Sequence, residues 1–229
     1  LRAVLGQTRP AFALSEVFTE RKILLVSLAK GTLGSEAAGL LGSLVFSQLW
    51  QATQARSAIE ARRRHPVMCF IDEFQDYLHL PTDLSDVLAQ ARGPGLGLTL
   101  AHQHLAQLTP SVRQAVLANA RSRVCFQLGS DDAHAVAKTT TRLDAEDFMG
   151  LERFEVYASL AAGGQITDFG SGRTIAPPAS ISDPRVVRRR SRERYGQDRQ
   201  AVEDQLADAV GQPPDKGGNG IGQRPRRQS

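Results

Sequence analysis

The chain has 229 residues, 41% hydrophobic and 23% charged, which suits one or two globular domains and excludes a disordered or fibrous composition. No stretch approaches the roughly 18–20 continuous apolar residues of a membrane span, and Leu1-Arg2 opens no signal peptide. The net charge of +4 is uneven: residues 185–229 hold eleven Lys or Arg against six acids, and the other 184 residues hold seventeen against eighteen. The globular part is therefore near neutral. The basic tail is either a solvated segment or a contact for phosphate backbones.

In chain order, Ile23–Leu28 (ILLVSL) reads as a short buried strand, and Lys30-Gly31-Thr32-Leu33-Gly34 turns the chain. A long helical pattern follows from Ser35 to about Arg64, with Leu41, Leu44, Val45, Leu49 and Ala52 at three- and four-residue steps. Gly39 and Gly42 allow that helix a close approach to the sheet, and Arg62-Arg63-Arg64 complement its C-terminal dipole. Val67–Ile71 is an uncharged run suited to a strand buried in a parallel sheet, and it ends in Asp72-Glu73. A helix capped by Thr82 or Asp83 runs to about Arg92, Gly93-Pro94-Gly95 breaks it, and Leu96–Ala101 forms the next strand.

Thr109-Pro110 starts a helix with Pro in its tolerated first position, leading to the strand Arg123–Leu128. Asp131–Thr139 and Asp144–Met149 read as helices, and Phe154–Leu160 with Gln165–Phe169 as a hairpin around Gly163-Gly164. Beyond Pro177-Pro178 the chain is polar. Val202, Leu206 and Val210 mark one short helix, and 211–229 has a disordered composition. Strands alternating with helices give an α/β class with a mostly parallel sheet flanked by helices, a C-terminal hairpin and a basic tail. The expected division is 1–178 for the core and 179–229 for the tail. Cys69 and Cys125 each fall in a strand and read as buried free thiols of a reducing compartment.

Chemistry concentrates in one ordered set. Asp72 and Glu73 lie where a strand emerges, the edge at which ligands of open α/β sheets collect. One acid there can hold Mg²⁺ while the other orients or deprotonates a water. Equally, Asp72 can cap the following helix and Glu73 support its first turn. Gln103 follows the strand 96–101 and surfaces on the same edge if the two strands are neighbours. Its amide can bond a γ-phosphate or the attacking water, or simply satisfy loop backbone groups. Arg92, at a helix end beside the Gly-Pro-Gly turn, can reach a transferring phosphoryl group across a subunit boundary, or compensate the helix dipole.

The segments VMCFIDEF, ARGPGLGLTLAHQ and LANARSRVCFQL resemble the Walker B, arginine-finger and Gln-sensor regions of hexameric RecA-like DNA motors. Within that group the chain is similar to the conjugative coupling proteins of type IV secretion, the TraG/TraD type, with their TraM recognition region. FtsK-like and HerA-like translocases share the plan. The resemblance covers about residues 20–175 and implies part of a RecA-like P-loop NTPase core using ATP and Mg²⁺. It implies Asp72 as the Mg²⁺-associated acid, Glu73 as the catalytic base and Gln103 as the γ-phosphate sensor. Arg92, or else Arg121 or Arg123, would be the finger acting in trans.

The partners implied are DNA, a relaxosome accessory protein or secretion-system components, and further copies in a homo-hexamer. The place implied is the cytoplasm, at the inner face of the cell membrane, with any membrane contact made through other segments of a full-length protein. The departure is that no GxxxxGK[ST] phosphate loop occurs in these 229 residues, and Lys30–Gly34 lacks its Gly-Lys-Ser/Thr ending. Either the chain is a fragment whose upstream part carries that loop, or it is a non-catalytic docking module.

Overall fold

The computed structural model describes residues 2–7, 9–77 and 84–211. It divides into two units, residues 14–180 and residues 1–13 with 181–229. In the larger unit, α2 (Leu14–Thr19), α3 (Lys30–Leu33) and α4 (Ser35–Ala55) precede β1 (Val67–Ile71). Then come α5 (Leu84–Gln90), β2 (Leu96–Leu100), α6 (Pro110–Asn119), β3 (Arg123–Cys125), α7 (Ser130–Ala137) and α8 (Ala145–Met149). Four short strands close the unit: β4 (Glu155–Ser159), β5 (Ala161–Ala162), β6 (Gln165–Ile166) and β7 (Gly170–Arg173). In the smaller unit, α1 (Arg2–Leu5) meets α10 (Arg199–Gly211), and Phe12 packs on Tyr195 of α9 (Pro184–Tyr195) with ring centroids 5.3 Å apart. Two helices thus occupy the stretch where the apolar pattern marked one. Thr82, Asp83 and residues 212–229 lie outside the described residues.

The α/β class is as expected, but its parallel part is small. Strands β1 and β2 pair in parallel, whereas β3, β4 and β7 form a separate antiparallel sheet in the order β3-β4-β7. The Gly163-Gly164 hairpin is present only as the two-residue pair β5–β6. Strand β4 takes β7 as its partner instead of residues 165–169. Both glycines have positive φ, so the turn is local, while the longer strand bonds across the sheet.

The main core gathers Phe46 and Trp50 of α4, Phe74, Leu84 and Val87 of α5, and Leu96, Leu105 and Leu108. Val67, Cys69 and Ile71 of β1 face it with Leu98 and Leu100 of β2. The other face of β1 is not buried, because Met68 and Phe70 are 58% and 73% exposed. One layer covers this strand where burial on both faces was expected.

The expected strand at Ile23–Leu28 is extended coil. Its ends are tied by Arg21 hydrogen-bonded to His65 and by Lys30 to Asp76, so it runs in the same direction as β1. Among the described residues its backbone makes no ladder bonds, and Ile23 and Leu25 are 88% and 80% exposed. An apolar run without a bonded neighbour is not a strand.

Helix α4 ends earlier than its pattern suggested and passes into 3-10 turns at Arg56–Ala58 and Ala61–Arg63. Arg56 is buried there, donates to the His65 carbonyl, and lies 4.8 Å over the Phe18 ring, which joins α2 to the approach of β1. The two cysteines are free and half-buried. Burial raises the Cys69 thiol above its usual range and pushes Cys125 up to about 11, so both rest as unreactive thiols.

The small residues of α4 are packed, not incidental. A Cβ on Gly42 would sit 2.5 Å from Tyr77 Cδ1 and 2.8 Å from Leu28 Cδ1, and one on Gly39 would sit 3.1 Å from the Asp76 carbonyl oxygen. Helix α4 thus closes on the turn after β1. Gly42→Ala gains up to about 1 kcal/mol of helix propensity and loses about 1–3 kcal/mol to overpacking. The variant is expected to be less stable in urea denaturation. A stability equal to or above the parent would show that α4 does not touch that turn.

Candidate functional site

Parallel pairing of β1 with β2 in the register Val67↔Leu96 to Ile71↔Leu100 brings both C-terminal ends to one edge. The bonding continues past the strands: Ala101 N–H donates to the Ile71 carbonyl at 2.9 Å and Phe74 N–H to the Ala101 carbonyl at 3.2 Å. Phe74 is fully buried and rests edge-on against the His102 ring, with centroids 5.5 Å apart. This anchor fixes Asp72 and Glu73 on one side of it and Gln103 on the other.

Glu73 sits in the left-handed region, with φ 49° and ψ 48°. An L-residue with a long side chain rarely adopts it. There its two carboxylate oxygens accept separate amide donors, Gln103 Nε2 on Oε1 at 2.5 Å and Gln75 Nε2 on Oε2 at 2.7 Å. Glu73 N–H donates to Asp72 Oδ1 at 3.1 Å. Gln75 first, then Gln103, hold the Glu73 carboxyl below the ordinary carboxylate range, with Lys30 assisting and partial burial and Asp76 opposing. Glu73 is therefore an anion near neutral pH, in the protonation state that a base requires.

Asp72 is exposed at the strand end, and its carboxylate accepts the Glu73 N–H. Among the described residues no cluster of three or more His, Cys, Asp or Glu could hold a metal by itself. Mg²⁺ does not need one, since it is commonly held by one or two carboxylates together with substrate phosphates. Asp72 and Glu73 fit that arrangement.

Arg92 does not join this edge. It lies in the turn before β2 begins, whereas Gln103 lies beyond its end. Five strand residues separate the two ends by about 16 Å. Arg92 is exposed, and its guanidinium has no partner among the described residues. Arg121 donates to the Gly164 carbonyl at 2.9 Å and Arg123 to the Leu117 carbonyl, both away from Glu73.

Several neighbours escaped the sequence pattern. Lys30 bonds Asp76 across 46 residues, and this contact raises the lysine above its usual range. No local signal announces it. Gln75 was legible in principle, since it stands two residues after Glu73 in one tight turn. His102 has its imidazole held below the usual range by burial, against the opposite pull of Asp132 and Glu73.

Residues 66–141 match the family model described as the TraM recognition site of TraD and TraG. This segment, about a third of the chain, is similar to that family. It contains Asp72, Glu73, Arg92 and Gln103. No curated protein matches the chain in sequence. Among solved structures, the plasmid coupling protein TrwB in complex with ADP and Mg²⁺ is 16% identical, covering 63% of this chain and 40% of its own, at a TM-score of 0.48. The unbound monoclinic form of the coupling protein TrwBdeltaN70 is 15% identical over 56% of this chain and 36% of its own, at 0.45. The genome packaging NTPase B204 from Sulfolobus turreted icosahedral virus 2, in complex with AMPPCP, is 17% identical over 76% of each chain, at 0.48. The chain spans 36–40% of the length of these two coupling-protein chains. Among the described residues, no helix is long and apolar enough to cross a membrane.

Within the matched segment, the amide pair around Glu73 gives a measurable signature. Gln103→Ala removes one donor, so the Glu73 carboxyl is expected to titrate at higher pH in carbon-detected NMR. A depressed folded-state value stabilises above the unfolded pKa of about 4.3, and that stabilisation is lost as pH falls through the folded value. The stability gap between parent and Gln103→Ala should therefore narrow under acid. An unshifted Glu73 titration would remove Gln103 from the site.

Proposed function

We propose that this chain supplies the hydrolytic edge of an ATP-driven coupling protein that delivers DNA or nucleoprotein to a conjugative type IV secretion system. The observation that carries the reading is the Gln103–Glu73 hydrogen bond at the shared end of two parallel strands. It links a group suited to activating water with a group suited to touching a γ-phosphate. Asp72 would hold Mg²⁺, which supplies charge neutralisation on the phosphates when bound. Glu73 orients the attacking water and accepts its proton. Gln103 exchanges its bond to Glu73 for one to the γ-phosphate, so the base is released only when nucleotide is present.

Arg92, at the opposite ends of the strands, cannot serve the Glu73 of its own chain. This favours action in trans, on a neighbouring copy in a RecA-like hexameric ring. The phosphate loop would be supplied from outside these 229 residues, because no GxxxxGK[ST] occurs among them. DNA contact is supported by α9, whose twelve residues carry six arginines and one glutamate.

Two measurements test this. The 229-residue chain is expected to hydrolyse ATP negligibly, and robust turnover abolished by Glu73→Gln would overturn the need for an external phosphate loop. In a longer protein that does turn over, Glu73→Gln and Gln103→Ala should each lower kcat by about 10²-fold or more. Full activity in both variants would sink the assignment.

A second reading is favoured by the description of the matched family, a TraM recognition site. In it, the segment docks a relaxosome accessory protein without catalysis. Capture of a TraM-type protein that persists in Asp72→Ala would support docking independent of the acid edge, and loss of capture would tie the two together.

A further inference from the structure

A second polar cleft lies in the same unit, away from Glu73. It encloses about 550 Å³ between the end of α6, the loop after α7 and the strands β4 and β6. That volume is within the usual range of small-molecule sites, about 300–1,000 Å³. Its lining includes three cations, Arg121, Arg123 and Lys138, and one carboxylate, Asp168.

The carboxylate is already committed. Asp168 is paired with Arg142 at 3.2 Å and accepts from Thr140 Oγ1 at 3.0 Å and from its neighbour's backbone, the Phe169 N–H, at 2.9 Å. Those bonds hold it well ionised, the backbone one first. The cations are not neutralised in the same way. Arg121 and Arg123 each donate to one backbone carbonyl, which uses one of five N–H donors and cancels no charge. Lys138 is exposed and has no partner among the described residues. The cleft therefore keeps an uncompensated positive charge.

Hydroxyls complete the lining. Thr141 has no hydrogen-bond partner among the described residues, and Thr167 accepts from the Leu160 N–H while its own proton stays available. Beside them Ile166, 54% exposed, and the half-buried Phe169 form a small apolar strip. Guanidinium, ammonium and hydroxyl donors together match a phosphate group, and an adjoining apolar strip matches a base.

We propose that this cleft binds the phosphate of a nucleotide unit, with Lys138 and the two arginines on the phosphate and Ile166 with Phe169 under the base. The unit is either a free nucleotide or one residue of a single strand. This site is separate from the Asp72–Glu73 edge.

Fluorescence anisotropy of the full chain in EDTA tests it, using a fluorescent ATP analogue and a labelled oligothymidylate as the two probes. Lys138→Glu, at an exposed side chain without partners among the described residues, should leave the thermal melt unchanged and weaken binding of the accepted probe by about tenfold or more. Thr141→Val should weaken it less. Loss of analogue binding identifies a free nucleotide, and loss of oligothymidylate binding identifies a strand. Equal binding by parent and Lys138→Glu, or no binding of either probe at millimolar concentration, overturns the proposal. The readout is binding in EDTA, without Mg²⁺ or turnover, so failure here leaves the hydrolytic reading untouched, and the converse holds.

Discussion

The parallel pairing of β1 with β2 is the constraint on which the rest of this structure depends. Register in a sheet with one buried face is strongly specified, since a slip of one residue turns every side chain over. Here a slip would carry Cys69 and Ile71 out of the core and bring Met68 and Phe70 into it. It would also move Gln103 by about 3.3 Å along the strand, which is enough to break its bond to Glu73. The apolar packing of five residues thus sets the geometry of a polar contact beyond the strand ends. Phe74 secures the same edge from below, with its amide on the Ala101 carbonyl and its ring in the core.

How far the fold was legible follows from how local each signal is. Helix α6 was readable from Thr109-Pro110, and the structure has Thr109 as its cap, accepting from the Val112 N–H, with Pro110 in the first position. Strands β1 and β2 were readable as uncharged runs between turn residues. The choice of partner was not. Nothing in Phe154–Leu160 says that it bonds β7 in preference to the nearer 165–169, because pairing is decided across the sheet. The run Ile23–Leu28 has the composition of a strand and lacks only a bonded neighbour, which composition cannot supply. Helix α9 was hidden by its arginines, although Asp183 before Pro184 is an ordinary start signal.

The candidate site divides along the same line. The shared edge of Asp72, Glu73 and Gln103 was legible because strand ends are predictable and acids or amides there are conspicuous. Arg92 was found by order in the sequence, but order does not say which edge a residue reaches, and the parallel register sets it at the far one. The Lys30–Asp76 pair joins residues 46 apart and could not be read from either segment. The cleft around Lys138 is similar. Its cations belong to a loop and a strand that become neighbours only through the antiparallel sheet.

The left-handed backbone at Glu73 sets two demands against each other at one residue. Such a conformation costs an L-residue roughly 1–2 kcal/mol, and glycine relieves it. Glycine would also erase the carboxylate and both amide contacts. A library of variants selected only for heat resistance would therefore drift toward losing the acid, while under the proposed role selection for turnover would retain it. Position 73 is where robustness and the proposed chemistry compete, and a glutamate kept there is robustness forgone.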